Sequence, residues 1–266
     1  MNPGLCNVSV PTRFNVPIKI YQEKKMKSRE KSRKISLTAF IGVLLCAVLV
    51  CGGVSAATVE EAVSRAMKSM GVHKNDTGLL LLTDAPYVRE DGACALAYLD
   101  QAQELTGCTV GKGNLLFFQR PQNHPLRLML FTKSSGNAVI ISRLGKDFVS
   151  ETLNAGPAAI ADPGFWEKAK SYESGKDMFT LAAIANVWAK DGPYDFLKSA
   201  ELHNHICPGL TSGYLMAHYI LNRYPLANGE RYTVVASPVW CKEDALQVIM
   251  DCTPGKKGLI DRKSVV

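Results

Sequence analysis

The sequence predicts an α+β fold, a sheet packed with helices behind an N-terminal signal peptide. Three observations carry that prediction. Apolar residues recur at helical spacing in several stretches, while short leucine-rich or β-branched runs between turn residues read as strands. The runs Leu126 to Thr132 and Ala138 to Ser142 flank Ser134-Ser135-Gly136-Asn137, a hairpin turn. The order of helix, turn and strand in the first half is also partly repeated near the C-terminus.

In chain order, Lys24, Lys25, Lys27, Arg29, Lys31, Arg33 and Lys34 form a basic segment. Ile35 to Val50 follows as an apolar run broken only by Ser36, Thr38 and Gly42, and it exits through Gly52-Gly53 and Val54-Ser55-Ala56-Ala57. This is the pattern of a secretory signal peptide cleaved near Ala56. An uncleaved signal anchor is the rival reading, since the run is slightly short of a spanning helix of about 20 residues. Met26 opens the pattern better than Met1. The expected location is therefore extracytoplasmic, with membrane contact only through residues 35–50 if they are retained.

The formal net charge of +7 belongs to that leader. Residues 1–34 hold nine Lys or Arg and two Glu, whereas residues 57–260 hold 20 basic and 21 acidic residues. Nothing in this near-neutral body supports a nucleic-acid partner, which would need a concentrated basic face. Once the leader is set aside, Cys94, Cys108, Cys207, Cys241 and Cys252 remain. An odd count cannot pair entirely within one chain, so at least one thiol is free, bridged between chains or held by a metal.

The body opens with a helix expected over Val59 to Met70, behind Thr58 as N-cap with Glu60 and Glu61 following. Leu79 to Leu82 reads as a short buried strand, Ala93 to Leu105 as a helix closed by Gly107, and Asn114 to Phe118 as a further strand before the hairpin. Residues 155–164, rich in Ala, Pro and Gly, form a connection. Helical periods return from Phe165 to Ala200, with breaks near Gly175 and at Asp191-Gly192-Pro193. A helix through Leu210 to Leu221, a strand over Thr233 to Ala236 and a helix from Lys242 to Met250 complete the pattern.

Chemistry concentrates at His203-Asn204-His205-Ile206-Cys207-Pro208-Gly209. Three metal-binding or proton-transferring side chains alternate there, and an extended backbone would set all three on one side. Pro208 suits the first position of the next helix, so Cys207 falls at the helix N-terminus, where unpaired N–H groups favour negative charge. Cys241 and Asp244, one helical turn apart, lie downstream.

An internal repeat is also legible. At an offset of 144 residues, Cys108-Thr109-Val110-Gly111-Lys112 aligns with Cys252-Thr253-Pro254-Gly255-Lys256. Asp100 then meets Asp244, Gln103 meets Gln247 and Leu115 meets Leu259, while Cys241 stands opposite Ala97. The reading is a first copy that keeps the frame and has lost the ligands.

His-Asn-His-Ile-Cys-Pro-Gly-Leu with Gly213-Tyr214, then Cys241-x-x-Asp244-x-x-Gln247 and Cys252-Thr253-x-Gly255-Lys256, resembles the FmdE-like family, which takes its name from formylmethanofuran dehydrogenase. Thr106 to Asn114 resembles that family's Gly-Cys-Thr-x-Gly-Lys-Gly-Asn signature. The resemblance covers roughly 85–150 and 198–260. It implies an α+β core, a metal site at the His/Cys motif, and a setting in methanogens and related anaerobes. Carried over, His203, His205, Cys207 and Cys241 are expected as metal ligands, Cys207 and Asp244 as catalytic residues, and Lys256 as a cofactor-binding cation. Lys257 and Gly258 stand where the signature has Gly and Asn. The export signal departs from a literal role as part of a cytosolic dehydrogenase, and no zinc-finger cysteines follow Cys252.

The domain reading is therefore a leader over 1–56, a degenerate FmdE-like module over 57–154, a helical connection over 155–197 and a truncated metal-site module over 198–260. Residues 261–266, Asp-Arg-Lys-Ser-Val-Val, match what a common sequencing adapter encodes in one frame, so the native chain is expected to continue past Ile260. Zinc or another transition metal is the expected cofactor, held by thiolate and imidazole at about 2.3 and 2.0 Å. Two other readings stay open: a metal-independent thiol enzyme with Cys207 as nucleophile and His203 or His205 as base, and a non-catalytic module binding a small molecule. The expected partner is a small-molecule ligand, with a homo-oligomer also open.

Overall fold

The computed structural model describes residues 54–56 and 58–262, which lie in one compact unit spanning Cys51–Val266. The apolar run 35–50 lies outside the described residues. Among the described residues, no helix is long and apolar enough to cross a membrane.

The α+β class is as expected. A six-stranded sheet is built from β1 (Val54–Ala56), β2 (Leu79–Thr83), β5 (Leu115–Phe117), β6 (Arg127–Thr132), β7 (Asn137–Leu144) and β8 (Asp147–Asn154), in the order β1-β8-β7-β6-β2-β5. All neighbours are antiparallel except β2 and β5, which run parallel. The sheet has two covered faces, which is why Leu79–Leu82 read as a continuous apolar run, every one fully buried. On one face, Leu79, Leu81 and Leu115 pack under α1 (Val59–Met70) and α2 (Leu96–Thr106). On the other, Leu80, Leu82 and Leu116 pack under α5 (Met178–Ala189) and α6 (Tyr194–His203).

Local chemistry explains the boundaries. Thr58 Oγ1 accepts from Glu61 N–H at 3.2 Å to start α1, and Gly71 ends it at φ +66°. The helix expected from Ala93 begins instead at Leu96. Ala93–Cys94 (β4) pairs with Arg89–Glu90 (β3) across Asp91-Gly92, both at positive φ, and this Asp-Gly hairpin withholds those residues from the helix. Strand β8 was not anticipated, because Ser150, Glu151 and Thr152 dilute its apolar pattern. Short helices α3 (Pro157–Ile160) and α4 (Pro163–Ala169) occupy the connection.

A buried charge network ties the sheet to its second helical layer. Arg120 sits 3.2 Å from both Asp84 and Asp177, and Arg127 Nε lies 2.7 Å from Asp177, close but off-axis for a hydrogen bond. Arg127 also donates to Ser142 Oγ at 2.7 Å and to the Glu173 carbonyl at 3.0 Å. Asp177 directly precedes α5, so the two arginines fix where that helix starts.

The C-terminal part repeats an order of elements already present. Helix α7 (Pro208–Arg223), β9 (Val234–Ala236), α8 (Cys241–Met250) and β10 (Leu259–Asp261) succeed one another as α1, β2, α2 and β5 do. Both α2 and α8 end on a residue in the left-handed region, Gly107 and Asp251, followed by a fully buried cysteine, Cys108 and Cys252. A 3-10 turn comes next in each, at Val110–Lys112 and Pro254–Lys256, then a strand parallel to its partner.

Removing the acidic partner of two buried guanidiniums leaves both under-compensated. Asp177→Ala is expected to lower stability by about 3 kcal/mol, read from the urea midpoint of the purified protein.

Candidate metal centre

Three helix ends converge to make the site. His203 is the last residue of α6, Cys207 is the N-cap of α7 and Cys241 is the first residue of α8. The backbone between the first two is not extended, as the alternation suggested. Asn204 takes φ +64°, the left-handed conformation that stops a helix, and the chain turns sharply into Pro208. That turn sets His203 Nε2 3.6 Å from Cys207 Sγ.

Cys207 caps α7 with sulfur: Leu210 N–H donates to Sγ at 3.3 Å. The third donor arrives because α7 and α8 approach without intervening side chains. A Cβ on Gly209 would lie 2.8 Å from Cys241 Cβ, and one on Gly213 would lie 2.2 Å from the Lys242 carbonyl oxygen. Glycines four apart on α7 thus form a bare stripe against the start of α8. Glu243 fixes that start, accepting from Trp240 N–H at 2.7 Å while itself buried.

His203, Cys207 and Cys241 each offer one donor atom, and all three atoms lie within 4.8 Å of one another. Metal–sulfur bonds of about 2.3 Å and metal–nitrogen bonds of about 2.0 Å in a tetrahedron place sulfur and nitrogen about 3.5 Å apart. The observed His203–Cys207 separation already matches that edge, and Cys241 needs to shift by only about 1 Å. Two sulfurs and one imidazole nitrogen suit zinc or a neighbouring transition metal, three of the four donors a tetrahedron takes.

Asp244 does not join the donors. Its Oδ2 lies 2.7 Å from His203 Nδ1, and its Oδ1 accepts from Gln247 Nε2 at 3.1 Å. One carboxylate oxygen therefore orients the imidazole with Nε2 towards the thiols, and the other is held by the next turn of α8. His205 is not among the three converging donors either. Its ring lies tilted against His203 at 4.3 Å between centroids and against Phe179 at 5.9 Å, and burial, with His203 adding to it, pushes its pKa down.

Lys256 is remote from these donors: it follows the far end of α8, a helix of 10 residues or about 15 Å, and pairs with Asp251. Cys252 is fully buried, donates to the Leu246 carbonyl at 3.2 Å and has its thiol pKa pushed up by burial. Cys108 is its counterpart against the Leu79 carbonyl at 3.5 Å. Both pack as small apolar residues. Burial also raises the Cys241 thiol pKa, with the neighbouring Cys207 adding to it. The roles of Gly209, Gly213 and Glu243 went unread in the sequence, although Gly209-x-x-x-Gly213 is a visible small-residue spacing.

Residues 202–264, the segment that carries all three donors, match the family model described as "FmdE, Molybdenum formylmethanofuran dehydrogenase operon". That match supports an FmdE-like segment with a metal-binding site. No curated protein gives a significant match to the chain.

Two substitutions separate the supports of the site. Gly213→Ala forces α8 away from α7 and is expected to cost about 1–3 kcal/mol of stability together with most of the metal affinity, followed by chelator competition. Asp244→Asn keeps the helix contact and loosens only His203. Its expected effect is a roughly 10- to 100-fold loss of metal affinity with little change in the urea midpoint.

Proposed function

We propose that the protein is an exported, FmdE-like metal-binding protein that holds one zinc-class ion through His203, Cys207 and Cys241 and presents it to a small-molecule ligand in anaerobe one-carbon or redox metabolism. The convergence of a second thiol carries this reading. Cys207, His203 and Asp244 alone form a thiol–imidazole–carboxylate series, the arrangement a metal-independent thiol enzyme would use. An acyl-transfer enzyme of that kind needs no second thiol at this point, whereas a tetrahedral ion uses Cys241 as a ligand.

When bound, an ion of this kind polarises a ligand oxygen or makes its bound water acidic near neutral pH. The chain's own residues supply the rest. Asp244 orients the His203 ring, the Gly209/Gly213 stripe sets the two sulfurs, and the His205 imidazole lies beside His203. The half-exposed Phe179 beside His205 offers an incoming molecule an apolar contact.

Elemental mass spectrometry on the purified body should find about one transition-metal ion per chain, lost in the Cys207→Ala/Cys241→Ala double variant. Metal-free protein, well folded by circular dichroism, with Cys207 alkylated freely in the presence of added zinc, would instead favour the thiol enzyme.

The pH dependence has a definite sign. A raised Cys241 pKa means the metal-free site holds its proton through neutral pH, and metal binding must displace it. Apparent affinity should therefore rise with pH, by about ten- to a hundredfold per unit near neutrality as one or two thiol protons are exchanged. Competition titrations across that range measure the slope, and a flat profile would remove the thiols from the ligand set.

A further inference from the structure

Cys207 and Cys241 stand apart from the other described cysteines. Cys108 and Cys252 are fully buried, and each donates to a backbone carbonyl, Leu79 at 3.5 Å and Leu246 at 3.2 Å. Cys94 is exposed on the β3–β4 hairpin. Cys207 and Cys241 are half-buried free thiols, and their sulfurs lie within 4.8 Å of each other. A Cβ on Gly209 would lie 3.4 Å from the Cys241 sulfur and 3.6 Å from the Cys207 sulfur. The missing methyl therefore leaves one open point in contact with both sulfurs.

That spacing is close to two different chemical states. Two sulfurs on one tetrahedral ion sit about 3.8 Å apart, given metal–sulfur bonds of about 2.3 Å. Two sulfurs in a disulfide sit about 2.05 Å apart. From 4.8 Å or less, the disulfide asks the pair to close by under about 2.8 Å in total. Moving a cysteine from one staggered χ1 position to another displaces its sulfur by about 3 Å, so the gap is of the size that side-chain rotation covers. The backbones can stay where they are, with Cys207 at the N-cap of α7 and Cys241 at the first position of α8. The two states exclude each other. A disulfide sulfur is no longer a thiolate, and His203 is then left as a single donor, too few to hold an ion.

We infer that Cys207 and Cys241 form a reversible disulfide by exchange with a low-molecular-weight disulfide, and that closing this bond expels the metal ion. The thiolate of one cysteine attacks a sulfur of the small disulfide, forming a mixed disulfide and releasing one small thiolate. The thiolate of the other cysteine then attacks the protein sulfur of that mixed disulfide, closing the Cys207–Cys241 bond and releasing the second small thiolate. Two electrons pass from the protein thiols to the small disulfide, which leaves as two thiols carrying the two protons. Excess small thiol runs the same steps in reverse. The disulfide stands on the sulfur geometry alone, whereas the expulsion of metal rests on the metal-binding function proposed above.

The test equilibrates the purified, folded protein in mixtures of oxidised and reduced glutathione and maps its cysteine peptides by mass spectrometry. In metal-free protein the Cys207 and Cys241 peptides are expected to be joined, about 2 Da lighter than their sum, with no glutathione kept on either. Exposed Cys94 is the internal reference and should keep one glutathione, about 305 Da. Cys207→Ser or Cys241→Ser should trap the same adduct on the cysteine that remains. Free zinc buffered at 100 times its dissociation constant for the dithiol form should move the midpoint glutathione ratio about 100-fold towards the oxidised side. Oxidation of zinc-loaded protein should release the ion to a chromogenic chelator. Separate glutathiones on Cys207 and Cys241, or no reaction at either while Cys94 reacts, would overturn the disulfide. A joined pair whose midpoint ignores zinc, in protein that elemental analysis shows to hold the ion, would overturn the expulsion. Protein that holds no metal at all would sink the metal-binding function, and the metal-free arm would still decide the disulfide.

Discussion

The contact between α7 and α8 is the constraint from which the rest of the site follows. Two glycines, Gly209 and Gly213, let the second helix ride against the first so closely that a single methyl at either position would strike Cys241 or the Lys242 backbone. Cys207 and Cys241 sit at the adjoining ends of these helices, so the interhelical distance is also the distance between sulfurs. Packing density and ligand geometry are set by the same two residues. Close approach of helices through small residues is usually a packing device; here it also places donors.

His203 enters the site by a separate route, which makes the centre a meeting of three helices. Helix α6 packs on the large sheet through Phe196, Leu197 and Ala200, and its start follows from α5, which the Arg120–Asp177–Arg127 network holds in place. The imidazole is thus referenced to the sheet, while the thiols are referenced to the α7–α8 pair. Asp244 joins the two frames, since it projects from α8 and grips His203 at 2.7 Å. Thr180 Oγ1, donating to the Asn204 carbonyl at 2.6 Å, ties the turn after His203 back to α5.

Much of this was legible in the sequence where local chemistry decides local structure. Thr58 as a cap, Gly107 as a stop, the Ser134–Asn137 hairpin and Pro208 at a helix start each act within a few residues, and each occurs where expected. The donors were legible as residue types, but their geometry was not. Alternation at 203, 205 and 207 suggested one extended edge carrying all three, whereas the left-handed Asn204 folds the backbone so that 203 meets 207 and His205 is turned onto Phe179. Whether a polar residue ends a helix depends on what α6 packs against, and that information is non-local. Strand β8 escaped for a related reason: Ser150, Glu151 and Thr152 lie at the sheet's polar margin, and the strand is held by its neighbours β1 and β7 rather than by its own apolar pattern.

The two stretches with the same order of elements show what one site requires beyond that order. In the sequence alignment at an offset of 144 residues, Asp100 on α2 and Gln103 stand opposite Asp244 on α8 and Gln247. Yet Ala97 stands where Cys241 does, and no histidine precedes α1 in the sequence. A carboxylate and an amide in the correct helical positions therefore remain there with no imidazole to orient. The buried Cys108 and Cys252 each follow a helix end and bond a backbone carbonyl away from the three donors, Leu79 and Leu246 respectively. Local order and site chemistry are thus carried by different residues: a left-handed residue and a buried cysteine follow both α2 and α8, whereas the His203, Cys207 and Cys241 donor set occurs only at the ends of α6, α7 and α8.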